Sequence, residues 1–294
     1  MSHVETFVGR SVTKHALVLG GGGVAGIAWM TGVLAGLAEA GMDVTGADLV
    51  VGTSAGSTVA AQLGSGLSLD ELYARQVDPA LQNKEIDPGV DLESYVANLA
   101  DVLDGVSSSL EIGRRIGALA LAADTVPEAE RRAVIASRLP SREWPSFKLK
   151  IVAVDAETGE PRVFDNSSGV SLVDAVAASC AVPMIWPPVT IDGRRYVDGG
   201  IRSIHNADYA ADYDKGVALL PMGVTQLVPS QDLLLPSWGD DMTITPNEAS
   251  AEAIGTTPLD PSTRAPAAKA GRAQGLEIGT LSDVDLREGL SGSS

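Results

Sequence analysis

The chain has 294 residues, 45% of them hydrophobic, so it can bury a substantial core as two small domains or one large α/β domain. We favour one domain with insertions. A formal net charge of −17 argues against a nucleic-acid partner and opposes electrostatic adsorption to anionic lipid, so any transient contact with a membrane surface has to be apolar and local. A single cysteine, Cys180, excludes an intramolecular disulfide framework and a cysteine-based zinc cluster, and it favours a reducing compartment.

The two ends of the chain differ from its middle. Residues 1–14 are predicted to be an N-terminal tail, and they contain no long apolar run of the kind found in a secretory signal. No segment approaches the roughly 20 apolar residues of a membrane-spanning helix. We therefore expect a cytoplasmic protein whose association with membranes, if any, is peripheral. Residues 15–280 are predicted to form the domain, and the polar residues 281–294 a flexible C-terminal tail.

The first elements alternate between strand and helix. Residues 15–19 form an apolar run typical of a buried strand, and four glycines follow at 20–23. Apolar residues then recur at helical spacing from Val24 until Gly41 ends the helix. Residues 48–51 predict a second buried strand, and a second helix begins near Ser54. This alternation indicates a parallel sheet with crossover helices.

Further along the chain, residues 68–139 read as a helical insertion that either covers a site or forms a plain packing layer. The pattern then predicts strands at 149–155, 162–164, 215–220 and 242–245, helices at 172–178 and 261–276, and a hairpin at 189–197. The expected fold class is α/β.

Gly52-Thr53-Ser54-Ala55-Gly56 lies at the corner between the second strand and its helix. A Gly-x-Ser-x-Gly sequence in this position has the form of a nucleophile elbow, in which a serine in a strained turn projects its hydroxyl above the sheet. The helix N-terminus adds amide groups and a positive dipole end, which favour developing negative charge. The alternative is that Ser54 only caps the helix.

The glycine-rich loop supports the catalytic interpretation. Gly21-x-Gly23-x-x-Gly26 also satisfies the dinucleotide-binding pattern, but that pattern needs an acidic residue at the end of the second strand. Gly52-Thr53-Ser54 stands there instead. Amides of Gly21, Gly22 and Gly23 beside the serine predict an oxyanion hole.

A serine nucleophile needs a base, and two residues compete for that role. Of the three histidines, only His205 is expected near the active edge of the sheet. Asp198 ends a predicted strand, and Gly199 and Gly200 follow it. The simpler interpretation of Asp198-Gly199 is a turn.

Three motifs occur together: GGGVAG at 21–26, GTSAG at 52–56 and DGG at 198–200. In this order and spacing they resemble the patatin-like phospholipases. The run AVAASCAVPMIWPPVTIDGRRYVDGG also resembles that family, and the likeness spans roughly residues 15–206. Two departures stand out: Ala25 replaces the family's usual basic residue, and the proline common after Asp-Gly-Gly is absent.

The resemblance implies a three-layer α/β/α sandwich with a mostly parallel sheet, a Ser54 nucleophile and an Asp198 general base. Gly21, Gly22 and Gly23, joined by Ala55, would supply the oxyanion amides. The glycines that support the motifs are Gly26, Gly52, Gly56, Gly199 and Gly200. The implied activity is hydrolysis of lipid or other acyl esters through an acyl-enzyme, with no cofactor or metal.

Two other functions stay open at this point. An α/β-hydrolase-type esterase would use Ser54, an aspartate and His205 as a triad. A non-catalytic nucleotide-binding protein would keep only the glycine loop. Trp29, Met30 and Trp186 could line an acyl pocket or simply pack the core.

Overall fold

The computed structural model describes residues 13–88, 95, 97, 99, 102–103, 105–106, 108–224, 235–238 and 242–291, with side chains as far as 281. Most of the tail predicted at 1–14 therefore lies outside the described residues. Eight strands form one sheet: β1 His15–Leu19, β2 Leu49–Thr53, β3 Lys148–Asp155, β4 Pro161–Phe164, β5 Val189–Ile191, β6 Arg194–Asp198, β7 Lys215–Leu219 and β8 Met242–Ile244. The α-helices whose bounds the structure describes are α1 Gly23–Glu39, α2 Ala55–Leu63, α3 Leu69–Val77, α4 Ser109–Ala122, α5 Glu128–Arg138, α6 Leu172–Ser179, α7 Glu248–Ile254 and α8 Arg264–Ser291.

The sheet is mostly parallel, as the resemblance implied. Its order is β5-β6-β3-β2-β1-β7-β8, with β4 paired to β3 outside this path. The pairs β1/β2, β1/β7, β2/β3 and β7/β8 are parallel, whereas β3/β4, β3/β6 and β5/β6 are antiparallel. Strand β2 is buried along its whole length and β1 from its second residue onward, because helices or loops cover both faces of the sheet there.

Strands β2 and β6 share one edge of β3. The last residue of β2, Thr53, lies opposite Val152, and the next residue of β3, Ala153, lies opposite Asp198. Strand β4 pairs with residues 151–154 of β3 and so occupies its other edge. Because β2 and β6 approach from opposite directions, their C-terminal ends meet head to head. This register brings the residue after Thr53 close to Asp198.

The core lies on both sides of the sheet, which makes the fold a three-layer α/β/α sandwich. On one face, Leu17 and Leu19 of β1 pack with α1, α2, α6 and α8 in one cluster. On the other face, Ala16 and Val18 pack against the 3₁₀ helix Ala207–Ala210 and Trp238. The observed architecture confirms the fold class predicted from the sequence.

Helix α8 packs closely along α1. A Cβ at Gly32 or Gly36 of α1 would collide with the backbone of α8. In the same way, a Cβ at Gly271 or Gly275 of α8 would collide with backbone carbonyls of α1. The helix continues to Ser291, which is well beyond the end predicted at 276. Apart from glycine, residues 277–291 contain no strong helix breaker, so nothing in the sequence ends the helix at 276.

The segment 68–139 contains α3, α4 and α5. Ile112 and Ile116 of α4 pack against Val154, Val197 and Ile201, so this part of the segment is a packing layer on the sheet. Whether any of it also moves as a cover stays a prediction. None of the helices within the described residues is both long enough and apolar enough to cross a bilayer.

A buried ion cluster attaches α5 to the start of α8. The Glu85 side chain is 1% exposed and accepts two hydrogen bonds from Arg138, at 2.9 and 2.8 Å, and one from Arg264 at 2.8 Å. Arg131 lies 3.8 Å away and stacks on Trp186. Although burial opposes ionisation, the arginines lower the pKa of Glu85 to about 2.

Candidate active site

Ser54 occupies a strained turn between β2 and α2. Its φ of 52° and ψ of −117° are unusual for a residue with a side chain, and the residue is 8% exposed. It is the N-cap of α2 but makes no side-chain capping hydrogen bond. Ser54 therefore does not act as an ordinary helix cap, and its hydroxyl is left for another contact.

Neighbouring side chains hold the peptide groups of Ser54. Its amide donates to Ser179 Oγ at 2.9 Å, and Ser179 Oγ donates to the carbonyl of Val152 at 2.6 Å. Its carbonyl accepts from Ser57 Oγ at 2.7 Å and from Cys180 Sγ at 3.1 Å. These contacts offset the cost of the strained conformation. The sequence indicated neither the contact of Cys180 with the turn nor the role of Ser179.

The elbow and the glycine-rich loop are in direct contact. The amide of Gly56 donates to the carbonyl of Gly20 at 3.0 Å. A Cβ at Gly56 would collide with the carbonyl of Leu19 at the end of β1. Glycine at this position therefore lets α2 start directly against the neighbouring strand, which joins the loop after β1 to the loop after β2.

The amides predicted to form an oxyanion hole differ in their availability. The amide of Gly21 donates to the carbonyl of Ile204 at 2.8 Å, so it is already used. The amides of Gly22, Gly23 and Ala55 have no acceptor within the part of the chain that the structure describes. Gly22 and Gly23 begin α1, and Ala55 begins α2, so two helix N-termini converge here.

Asp198 lies at the end of β6, beside the strained turn. It is 5% exposed, and its Oδ1 accepts from the amide of Gly200 at 2.7 Å. Burial raises the pKa of the Asp198 carboxyl to about 7, while a contact from the Ser54 hydroxyl and the Gly200 amide lower it. The Ser54 contact falls outside ordinary hydrogen-bond geometry, and Asp198 Oδ2 has no partner among the described residues. The two residues that the sequence paired are thus neighbours.

Tyr95 is a neighbour of Asp198 that the sequence did not single out. Its hydroxyl donates to the carbonyl of Pro183 at 3.2 Å. Burial raises the pKa of Tyr95, and the negative charge of Asp198 raises it further. Tyr95 therefore stays protonated and remains a hydrogen-bond donor at neutral pH.

His205 is buried in the loop that follows Asp198. It is 1% exposed, and its Nδ1 accepts from the amide of Ala207 at 3.1 Å. Burial lowers the pKa of His205 to about 4, so the ring is neutral at neutral pH. Because Nδ1 accepts this bond, it carries no hydrogen to donate to an aspartate, and that donation is what orients the histidine of a triad.

The three residues that the sequence offered for an acyl pocket, Trp29, Met30 and Trp186, lie in two different places. Trp29 and Met30 are fully buried in the core, where Trp29 Nε1 donates to Gln274 at 3.2 Å. Trp186 lines a cavity of about 450 Å³ together with Met184. The first pair packs the fold, and a role of the cavity in binding acyl chains stays a prediction. Within the described ranges, no group of three or more His, Cys, Asp or Glu residues could hold a metal ion.

Comparisons with known proteins give one match that covers most of the domain. A family model described as "Patatin-like phospholipase" matches residues 17–211, which is more than half of the chain. No curated protein matches. Among solved structures, VipD from Legionella pneumophila has a TM-score of 0.47 and 15% identity, with 91% of this chain and 66% of VipD covered. The type III effector protein ExoU has a TM-score of 0.36 and 19% identity, with 92% and 54% covered.

Both solved proteins are longer than this chain, which spans 66% of VipD and 54% of ExoU. The assignment rests on the family model, whose extent includes the glycine loop, the elbow and Asp198. The chain belongs to the patatin-like phospholipase family, a family of lipid hydrolases.

Proposed function

We propose that this protein hydrolyses acyl esters of lipids through a Ser54–Asp198 dyad and an acyl-enzyme intermediate. The observation that carries the proposal is the meeting of β2 and β6 on one edge of β3, which makes the hydroxyl and the carboxyl neighbours. Family membership supports the class of reaction. In this proposal Ser54 is the nucleophile and Asp198 is the general base.

In the first half of the reaction, Asp198 accepts the Ser54 proton as Ser54 Oγ attacks the ester carbonyl. The oxyanion that forms is stabilised by the amides of Gly22, Gly23 and Ala55, which have no acceptor among the described residues. Collapse of the tetrahedral intermediate breaks the ester bond, and the proton held by Asp198 passes to the leaving alcohol.

In the second half, Asp198 accepts a proton from water as the water oxygen attacks the acyl-enzyme carbonyl. The second tetrahedral intermediate collapses, the fatty acid leaves and the proton returns to Ser54. An ordinary aspartate is a weak base for both steps, but a pKa of about 7 brings Asp198 close to the operating pH. Burial is therefore part of the mechanism.

The contacts of His205 favour the dyad over a triad. Its Nδ1 accepts a backbone amide, and burial lowers its pKa to about 4. The dinucleotide alternative lacks support as well, because Thr53 and Ser54 stand where the ribose-binding acid would be. With Ala25 in place of the family's basic residue, the glycine loop brings no cation to the substrate headgroup.

The test is hydrolysis of p-nitrophenyl esters of short and long acyl chains and of phospholipid vesicles, with Ser54→Ala as the blank. We expect turnover by the parent and none above background by the variant. Cys180→Ser is the matched control: it removes a second buried nucleophile beside the elbow but keeps a hydroxyl that can donate to the Ser54 carbonyl, so it should keep turnover. Hydrolysis that survives Ser54→Ala would refute the nucleophile assignment. Dinucleotide binding without ester turnover by the parent would favour the non-catalytic alternative.

A further inference from the structure

The side chain of Asn206 joins the nucleophile strand to the loop that carries the general base. Asn206 is fully buried, and its Nδ2 donates to Thr53 Oγ1 at 3.1 Å, to the carbonyl of Gly199 at 3.2 Å and to the carbonyl of Ser203 at 2.7 Å. Thr53 immediately precedes Ser54, and Gly199 immediately follows Asp198. One amide group therefore bonds to both chain segments of the dyad.

The orientation of this amide is determined by an ion pair. Arg202 Nη1 donates to Asn206 Oδ1 at 2.7 Å, and the same guanidinium makes two hydrogen bonds to Asp208, at 2.9 and 2.7 Å. Because arginine only donates, it can face only the oxygen of the amide, so the two N–H groups on the other side are shared among the three acceptors. The Asn206 backbone has a φ of 49°, a left-handed conformation that asparagine tolerates better than most residues.

Asn206 bonds to two strand ends that each pair with β3 but not with each other in the described sheet. Strand β2 ends at Thr53 and β6 ends at Asp198, so no ladder hydrogen bonds continue beyond their meeting point. The Asn206 amide bonds to both sides of that junction. A shift of either segment would move Ser54 relative to Asp198 and would break one of the amide's bonds.

We propose that Asn206 is a positioning residue that sets the alignment of Ser54 with Asp198. This role rests on the proposed function, since it concerns the same dyad. Asn206 cannot touch substrate because none of its surface is exposed. Its loss should therefore lower kcat and leave KM unchanged, whereas a merely structural role would lower stability without that split.

The first experiment compares Asn206→Gly with the parent enzyme on a p-nitrophenyl ester. Glycine tolerates the left-handed backbone and introduces no charge. We expect kcat to fall about 100-fold, the effect of a misalignment near 1 Å, with KM within about twofold of the parent. Gln274→Ala is the matched control, because it removes another buried side-chain amide, on α8, that donates to the Thr245 carbonyl at 2.7 Å. It should lower Tm and leave kcat unchanged.

A second pair of variants tests the contact without removing Asn206. Thr53→Val deletes the hydroxyl that accepts from Asn206, and Thr53→Ser retains it. We expect about a tenfold loss of kcat in the valine variant, corresponding to one hydrogen bond, and nearly full activity in the serine variant. This pair decides the question if Asn206→Gly does not fold.

The outcomes separate this role from the proposed function. A parent with no Ser54-dependent turnover would overturn the proposed function and this role with it. If the parent is active, two results would overturn the positioning role alone. One is an Asn206→Gly variant that keeps kcat within about twofold, and the other is equal activity of Thr53→Val and Thr53→Ser. A fall in kcat at constant KM, absent from Gln274→Ala, supports it.

Discussion

Replacing Asp198 by asparagine should stabilise the fold at alkaline pH while it removes activity. Burial raises the pKa of Asp198 from 3.8 to about 7, so the folded protein keeps a proton that the unfolded chain has already lost. As the pH rises from 3.8 to about 7, the carboxyl therefore lowers the free energy of unfolding. The amide that replaces it in Asp198→Asn does not titrate, so the variant lacks this loss of stability.

The size of the effect follows from the two pKa values of this carboxyl. A difference of one in pKa corresponds to about 1.4 kcal/mol, so the rise from 3.8 to about 7 amounts to about 4 kcal/mol in total. Between about pH 5.5 and 7, the difference in free energy of unfolding between variant and parent should grow by about 2 kcal/mol and then level off. Other groups titrate in both proteins and cancel in this difference.

The assay is urea unfolding of both proteins at several pH values between about 5.5 and 8. Asp155→Asn is the control. Although burial opposes it, hydrogen bonds from Thr158, Glu157 and Arg194 lower the pKa of Asp155, so its stabilising effect is complete above pH 3.8. That variant should be less stable than the parent by a constant amount. A constant difference for Asp198→Asn as well would refute a raised pKa.

The remaining predictions concern pH, the buried ion cluster and the histidine. Because the carboxylate of Asp198 is the active form, kcat/KM for a soluble ester should rise about tenfold per pH unit below about pH 7 and level off above it. A pH profile of kcat/KM with its midpoint near about 4, the ordinary value for an aspartate, would contradict this prediction. Glu85→Gln should lower the free energy of unfolding, measured with urea, by about 3 kcal/mol near neutral pH, because it leaves Arg138 and two other buried arginines without a carboxylate. A decrease below about 1 kcal/mol would contradict a stabilising role of the ion cluster. His205→Gln should keep kcat within a few-fold, whereas loss of activity only in this variant, and not in Asp198→Asn, would restore the triad.

The local features of the site could be predicted from the sequence because they depend on neighbouring residues. The order of a strand, four glycines and a helix predicts the glycine-rich loop. The glycines on both sides of Ser54 predict the strained corner, because only small residues let α2 begin against β1. The parallel order of the first strands followed from the alternation of strands and helices. The strained φ at Ser54 agrees with that interpretation.

The contacts between distant segments could not be predicted in this way. The sequence indicated that Asp198 ends a strand, but not that β6 meets β2 on the same edge of β3, because strand order is decided by packing of the whole sheet. The Gly21 amide donates to the carbonyl of Ile204, which lies in a loop that no sequence motif marks, so this hydrogen bond could not be predicted. For the same reason, the sequence singled out neither Ser179 nor Asn206.

Labelling by a fluorophosphonate probe, followed by mapping of the modified residue, tests the central claim most directly, because the probe reacts with an activated serine and needs no knowledge of the natural lipid. We predict a single phosphonylated serine, Ser54, no label in Ser54→Ala and much slower labelling in Asp198→Asn, since the carboxylate is then missing. Label on another residue, or labelling of Asp198→Asn at the parent's rate, would contradict a Ser54–Asp198 dyad.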